Sequence, residues 1–518
     1  MLKKLLGVLL FWSVLTTSAQ SVEWVNTPEI TLANLLPSGY ISATDANGAV
    51  YLAGFKDNPF SYTELFGNLI YQKYTQGGNI SFSKTLGDRA VVHQLQSDPQ
   101  GNMLMAVEHL NTLTYEDFSI PNTTGLPQHV LLKFNITGEL LWHKVLTMPV
   151  VGVNTFKTIA FDPAGHIYIG YDNYGTCHIE KLNTNGDSLQ LIVQENVNRL
   201  TSLAVDSDGN IYASGSCAHI NSTYAGNMQP TGFDYSVYLV KYSATGVFQW
   251  INYVEDITCS SPMIQVDMNN NIYWAAETFI PVQLDAIMTE GPSGGGVDFF
   301  LAKLDANGNY LWVREVPGNG SLELAHHNAL QLDDFGSLYL TGILSGGLTQ
   351  WSEQVSTDTG TFANRDAVVL RYLSDGVLDF AFTAGGAQSD WAHGLSVDAA
   401  GDVYLTGMMQ GTAQMQWFSF THPQPMGYTP FLARISPVRL SVSQTEKNTV
   451  RIYPNPVTDL LTVQTSEMIL NLSVFSLNGQ RMQLPQNDNQ LDFSGEANGV
   501  YVVEIVTEKG VEMVKVVR

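Results

Sequence analysis

Val205-Asp-Ser-Asp-Gly-Asn-Ile-Tyr-Ala-Ser-Gly215 carries the pattern that decides the fold. An apolar run ends in Asp, a turn holds Gly and Asn, and a short strand containing Tyr ends in Gly. The same order returns in Val397-Asp-Ala-Ala-Gly-Asp-Val-Tyr-Leu-Thr-Gly407 and in Asp45-Ala-Asn-Gly48-Ala-Val-Tyr51-Leu-Ala-Gly54. Further register aspartates are Asp98, Asp162, Asp267 and Asp333. Runs rich in Val, Ile and Tyr between Gly, Asn and Asp read as hairpin strands. A fixed period of such units marks a repeat architecture.

Working outward, a second element follows each copy: an apolar run, Lys or Arg, a turn with Gly, then an aromatic strand. Phe299-Phe-Leu-Ala-Lys303-Leu-Asp-Ala-Asn-Gly308-Asn-Tyr-Leu-Trp312 is the clearest. Its basic positions are Lys73, Lys133, Lys181, Lys241, Lys303, Arg371 and Arg434. The following strand supplies Phe82, Trp142, Leu189, Trp250, Trp312 and Phe380, one fewer. The last unit stops at Arg434-Ile-Ser-Pro437, whereas Gln20-Ser-Val-Glu-Trp24 matches Glu139-Leu-Leu-Trp142. The first strand of the chain is therefore expected to complete the last unit. Four strands in each unit of about 60 residues predict an all-β fold. Residues 20–437 are expected to form a seven-bladed β-propeller closed by its N-terminal strand, leaving no long open edge. The rival arrangement, an open solenoid, needs no such completion.

These repeats resemble the propeller repeats of secreted bacterial proteins (SBBP type), which run from a G-G-x-x-x-D segment through apolar-Asp-x-x-Gly-Asn-x-Tyr-x-x-Gly to a Phe-rich strand ending in Lys. Gly385-Gly386-Ala-Gln-Ser-Asp390-Trp-Ala-His-Gly-Leu-Ser-Val-Asp398 follows that pattern closely. Departures are Leu104 in place of Tyr, Asn270 in place of Gly, and a third unit with a very short loop and no Trp.

Met1 to Ala19 reads as an address: Lys3-Lys4, an apolar run from Leu5 to Leu15, and small residues before Gln20. Cleavage is expected between Ala19 and Gln20. The apolar run is about half of the ~20 residues that span a bilayer, and no later stretch is long enough to serve as a transmembrane segment. A polar linker is placed at 438–448. The remainder, 449–518, has short alternating β-type runs that predict a small β-sandwich. Its ordered motifs are Tyr453-Pro454-Asn455-Pro456, Leu477-Asn478-Gly479-Gln480, Gly499-Val500-Tyr501 and Lys515-Val-Val-Arg518. They resemble the type A C-terminal sorting domain of the type IX secretion system. That resemblance implies a partner, the outer-membrane export machinery, and a product secreted or attached to the outer cell surface.

Of 518 residues, 48 are acidic and 24 are Lys or Arg, a net charge of −24 with only 14% charged. Hydrophobicity this high excludes disorder. An acidic chain without a basic face excludes nucleic acid as a partner. Asp206-Ser-Asp208-Gly-Asn210 lacks the spacing and final Glu of a calcium loop. Each register Asp is better read as an acceptor for turn N–H groups, with the repeat's Lys reaching it along apolar surface. Neither a nucleophile elbow nor a zinc-protease motif occurs, so no catalytic residue, metal or cofactor is assigned.

Five residues before each register Asp, at the expected channel mouth, stand Tyr40, His93, Lys157, Thr201, Asn328 and His393, with Pro262 in the fifth unit. Variable polar residues on a rigid scaffold suit ligand contact, although solvation alone also makes a strand start polar. Long connections such as Tyr115 to Pro127 and Phe279 to Gly296 emerge on the same face. Cys217 and Cys259 are expected there too, either bridged across neighbouring units or free, with Cys177 unpaired. Three functions remain open: binding or adhesion to glycan or protein through the loop-rich face, a carbohydrate-active lyase or hydrolase at the channel mouth, and a structural surface protein.

Overall fold

The computed structural model describes residues 21–28, 40–45, 47–55, 67–87, 89–146, 154–173, 175–255, 261–292, 296–318, 320–353, 355–360, 365–386, 388–410, 414–417, 420–423, 428–436, 451–465, 468–476, 481–497, 499–507 and 510–518. Expected segments 1–19 and 438–448 lie outside them. The chain divides into two compact units, 1–438 and 439–518. Both are all-β, with no helix among the described residues.

In the first unit each repeat contributes an antiparallel meander. The first repeat runs Ile41–Thr44, Val50–Phe55, Leu69–Tyr74, Ile80–Thr85. The second runs Ala90–Ser97, Met103–His109, Gln128–Phe134, Leu140–Val145. Repeats three and four form one sheet, because the 18-residue strand Ser188–Val205 ends one and begins the other. The fifth runs Met263–Val266, Ile272–Thr278, Asp298–Leu304, Tyr310–Arg314. In the sixth, Ser321–Leu324 and Leu330–Leu332 both pair with Leu338–Ser345, followed by Asp366–Tyr372 and Leu378–Ala384. The last has Trp391–Val397, Val403–Gln410 and Tyr428–Ser436, and its outermost strand is Ser21–Asn26. Several long connections are not open loops. Leu113–Tyr115 with Phe118–Ile120, and Leu348–Gln350 with Ser356–Asp358, fold into small hairpins.

The register Asp explains the first turn. Asp206 Oδ1 accepts the N–H groups of Asp208 and Asn210 at 3.0 and 2.8 Å, while Oδ2 accepts the Tyr212 hydroxyl at 3.0 Å. The same Tyr-to-Asp bond joins Tyr51 to Asp45, Tyr168 to Asp162, Tyr339 to Asp333 and Tyr404 to Asp398. Gly209 takes a φ of +81°, and Asn270, which replaces it in the fifth repeat, takes +61°, a region Asn tolerates. Lys133 reaches Asp98 at 2.8 Å and Lys303 reaches Asp267 at 3.5 Å. Arg434 departs from the pattern, bonding Asp402 through Nε at 3.1 Å.

The basic residue also faces the aromatic one across the outer hairpin: Lys73 opposes Phe82, Lys133 Trp142, Lys241 Trp250, Lys303 Trp312 and Arg371 Phe380. In the third repeat Lys181 opposes Gln190, so Gln190 and not Leu189 holds that position. In each of these repeats the partner lies nine residues after the basic one and the same bulge follows, so the third repeat keeps the spacing and only its aromatic ring is missing. Phe82, Trp142, Trp250 and Trp312 each cover a turn glycine of the next repeat. A Cβ on Gly138 would lie 2.8 Å from Phe82, and one on Gly376 would lie 2.8 Å from Trp312. The indole N–H of Trp250 donates to Ala306 O at 3.2 Å.

First strands of successive repeats lie side by side, and that of the first repeat also lies against that of the last. There Ser42 Oγ and Ser396 Oγ are 2.9 Å apart and Thr44 Oγ1 donates to Val397 O at 2.8 Å. Apolar clusters fill the spaces between neighbouring sheets. One joins Leu104, Ala106 and Leu131 to Ile167 and Ile169. Another joins Val50, Leu52 and Tyr74 to Tyr404 and Leu432.

The second unit has two four-stranded sheets. One orders Arg451–Tyr453, Leu460–Gln464, Gln490–Asp492, Gln486–Asn487; the other orders Arg481–Met482, Ile469–Ser476, Val500–Thr507, Gly510–Val517. Leu461 and Val463 share a single apolar core with Val474, Val503 and Ile505.

Candidate functional site

A β-bulge adds one residue to a strand, interrupts the ladder and re-aims a side chain. Pairing of the first and second strands shifts between Val92 and Gln94, Phe156 and Thr158, Leu200 and Ser202, and Ala392 and Gly394. The extra residues are His93, Lys157, Thr201 and His393. Tyr40 precedes its strand, and Asn328, at φ +37°, lies between the two short first strands of repeat six. The bulge also accounts for the glycine that ends the Tyr strand. A Cβ on Gly215 would sit 1.9 Å from Arg199 O, and one on Gly407 would sit 2.0 Å from Trp391 O.

Along the first strands runs a cavity of about 350 Å³. His93, Thr201 and Asn328 line it, as do Gln94, Gln265 and His326. Thr201 also donates its hydroxyl to Pro262 O at 2.7 Å, tying repeat four to repeat five. Tyr40 does not line the cavity. It is 1% exposed and packs with Val50, Leu52 and Tyr404. His393 is 3% exposed, and burial, with the nearby His326, lowers its pKa to about 3. The Lys157 side chain lies outside what the structure describes. Cys217 is buried in the left-handed region (φ +56°), and Cys259, its expected partner, lies outside the described residues.

Spacing in the sequence did not point to two neighbours of His93. Glu108 is the penultimate residue of the second strand of repeat two and stands opposite His129, near the start of the third strand. His93 Nε2 lies 2.7 Å from Glu108 Oε2, and one ligand atom from each of His93, Glu108 and His129 lies within 4.8 Å of the others. A usable signal was the repeat itself, which brings the start of strand one, the end of strand two and the start of strand three to one rim.

Carboxylates elsewhere on this rim are held in apolar surroundings. Burial raises Asp366 and Asp390 to about 7, the Asp390 charge adding to the effect on Asp366. Burial, then the Glu323 charge, raises Glu277 to about 7, and burial raises Asp298 to about 6. Asp390 accepts the N–H groups of Gly386 and Gln410 at 2.8 and 2.9 Å, which straps the start of the last repeat to its second strand.

In the second unit three of the four sequence motifs converge on the final strand. The Asn455 amide donates to Lys515 O and accepts from Val517 N, both at 2.9 Å. Gly499 and Arg518 exchange backbone bonds, and Tyr501 donates its hydroxyl to Ala497 O. Tyr453, Pro454, Asn455, Pro456 and Lys515 are exposed, while Tyr501 is buried. Gly479, like Ala19 and Gln20, lies outside the described residues.

No curated protein matches the sequence. Similar solved structures include the Dos1 propeller, at 10% identity over 80% of this chain and 95% of that one, TM-score 0.40. A Dyadobacter fermentans protein of unknown function shows 10% identity over 80% and 99%, TM-score 0.38. Quinohemoprotein alcohol dehydrogenase from Comamonas testosteroni shows 10% over 92% and 77%, TM-score 0.39. Residues 451–518 match the family described as a secretion system C-terminal sorting domain. That domain addresses the chain to the type IX secretion machinery, and the protein is exported, either secreted or attached to the outer cell surface.

Proposed function

We propose that residues 20–437 form a closed seven-bladed β-propeller of the SBBP type that binds a glycan or protein through its loop-rich rim, without catalysis. The reading also takes 1–19 as a signal peptide removed before Gln20 and 449–518 as a β-sandwich. Closure is supported by Ser21–Asn26, which pairs with Tyr428–Ser436 and puts Trp24 opposite Arg434, the register of Trp312 opposite Lys303. The reading keeps a disulfide between Cys217 and Cys259 as a proposal.

The observation that carries binding over catalysis is the chemistry of the cavity. Its described lining is uncharged Ser, Thr, Gln and Asn with His and apolar residues, and includes no Asp or Glu. A hydrolase acting on glycosides generally needs two carboxylates converging within about 5–10 Å. Neutral donors and acceptors on rigid strands suit hydroxyl-rich or peptide ligands. The test is an array of glycans and extracellular proteins probed with the purified chain and with Thr201→Trp, which fills the cavity mouth. Retention of one ligand class, lost in the variant, is expected. Silence across the array, or equal binding by the variant, counts against the reading.

A further inference from the structure

We propose that His93, Glu108 and His129 form a binding site for Zn²⁺ on the rim of the second repeat. The three residues come from three successive strands of one sheet, so hydrogen-bonded backbone fixes their spacing. Glu108 and His129 are direct cross-strand partners, which places their Cβ atoms about 5 Å apart. His93 is the extra residue of the bulge between Val92 and Gln94, and its ring meets the Glu108 carboxylate.

Two imidazoles and one carboxylate form a borderline-soft donor set of the kind that selects zinc among the divalent ions, whereas calcium and magnesium require mostly oxygen. Zinc holds such ligands at about 2.0–2.2 Å, so adjacent donors lie about 3.3 Å apart. The 2.7 Å from His93 Nε2 to Glu108 Oε2 has to widen by about 0.6 Å, and the other separations, at most 4.8 Å, have to close by no more than about 1.5 Å, both within side-chain rotation. Without metal, the His93–Glu108 pair is a hydrogen bond. With metal, both atoms become ligands.

Burial favours the site. His129 is 6% exposed, and the His93 and Glu108 side chains are each 19% exposed. Water is thus partly excluded, but one side stays open, because His93 also lines the cavity. Three protein ligands leave a fourth position, which a water or an oxygen of a bound ligand would fill. The site would then add one strong electrophilic contact beside a cavity whose described lining is otherwise neutral.

The test is titration of the chelator-stripped full chain with Zn²⁺ by calorimetry, with Co²⁺ absorbance as a second readout. One Zn²⁺ per chain is expected. His93→Ala should weaken binding at least 100-fold and abolish the Co²⁺ bands, and Glu108→Gln should weaken it at least tenfold. Because His129 is buried, His93→Ala is the deciding variant, with its fold checked by circular dichroism. No stoichiometric zinc, unchanged affinity in folded His93→Ala, or preference for Ca²⁺ or Mg²⁺ over Zn²⁺ overturns the site.

Discussion

Trp24 stands directly across from Arg434, and its indole N–H donates to Gln76 O at 2.9 Å, so one side chain joins the start of the chain to its last and first repeats. Its ring also covers Gly78, where a Cβ would lie 2.9 Å away. Trp24→Ala should cost the first unit about 2 kcal/mol, less than the ~3–5 kcal/mol of a fully buried ring because this one is only half-buried. Denaturant unfolding measures this, with the exposed Leu189→Ala as control. Equal midpoints for the two variants would show that the strand contributes nothing.

Asp206 holds two turn N–H groups and the Tyr212 hydroxyl. Removing the acceptor leaves buried donors unsatisfied. Asp206→Ala should therefore lower stability by about 3 kcal/mol. Thermal unfolding identical to that of the parent would refute the structural role assigned to the register Asp.

Gly215 and Gly226 separate steric need from backbone need. A Cβ on Gly215 meets a carbonyl oxygen at 1.9 Å, whereas one on Gly226, at φ +77°, meets nothing within 4 Å. Gly215→Ala should cost more than about 3 kcal/mol through overpacking, and Gly226→Ala about 1 kcal/mol through conformation alone. Reversal of that order in urea titrations contradicts the bulge geometry.

Stability of the first unit should fall between about pH 4 and pH 7, because three buried carboxyls outweigh one buried imidazole. Asp366, Asp390 and Glu277 have folded values of about 7, above those of the free acids. They bind protons more tightly when folded, so their contribution is full below about pH 4 and is lost as pH rises from there through about 7. His393 has the opposite sign. Its folded value of about 3 lies below that of a free imidazole, so its contribution is present above about 6.5 and lost on acidification. Melting temperature should fall from pH 6 to 8, and less so in Asp366→Asn. A rise over that interval would be incompatible with these buried carboxyls.

Deleting 451–518 should keep the chain inside the cell envelope, as read by immunoblots of medium, surface and periplasm. Normal appearance outside the cell would mean that another segment carries the address.

The repeat was legible because its key interactions are local: Asp, turn and Tyr lie within seven residues, and Lys and ring face each other across one hairpin. Bulges were not legible. An extra residue leaves no mark on composition, yet it interrupts the ladder at His93, Lys157, Thr201 and His393. Tyr40 looked like a rim residue by count, but an aromatic ring beside Val50 and Tyr404 is more stable buried. Glu108 and His129 were missed because only strand pairing, not spacing, brings them to His93.

The 18-residue strand Ser188–Val205 has a bearing on survival outside the cell. Proteases need a stretch of backbone that can leave its hydrogen bonds and enter a cleft, and turns between elements usually supply it. Between the third and fourth repeats the chain offers no such turn, since the crossing is itself paired on both sides, to Thr176–Leu182 and to Ile211–Tyr224. An enzyme attacking that junction has to peel this strand from neighbours of the same sheet before it can cut.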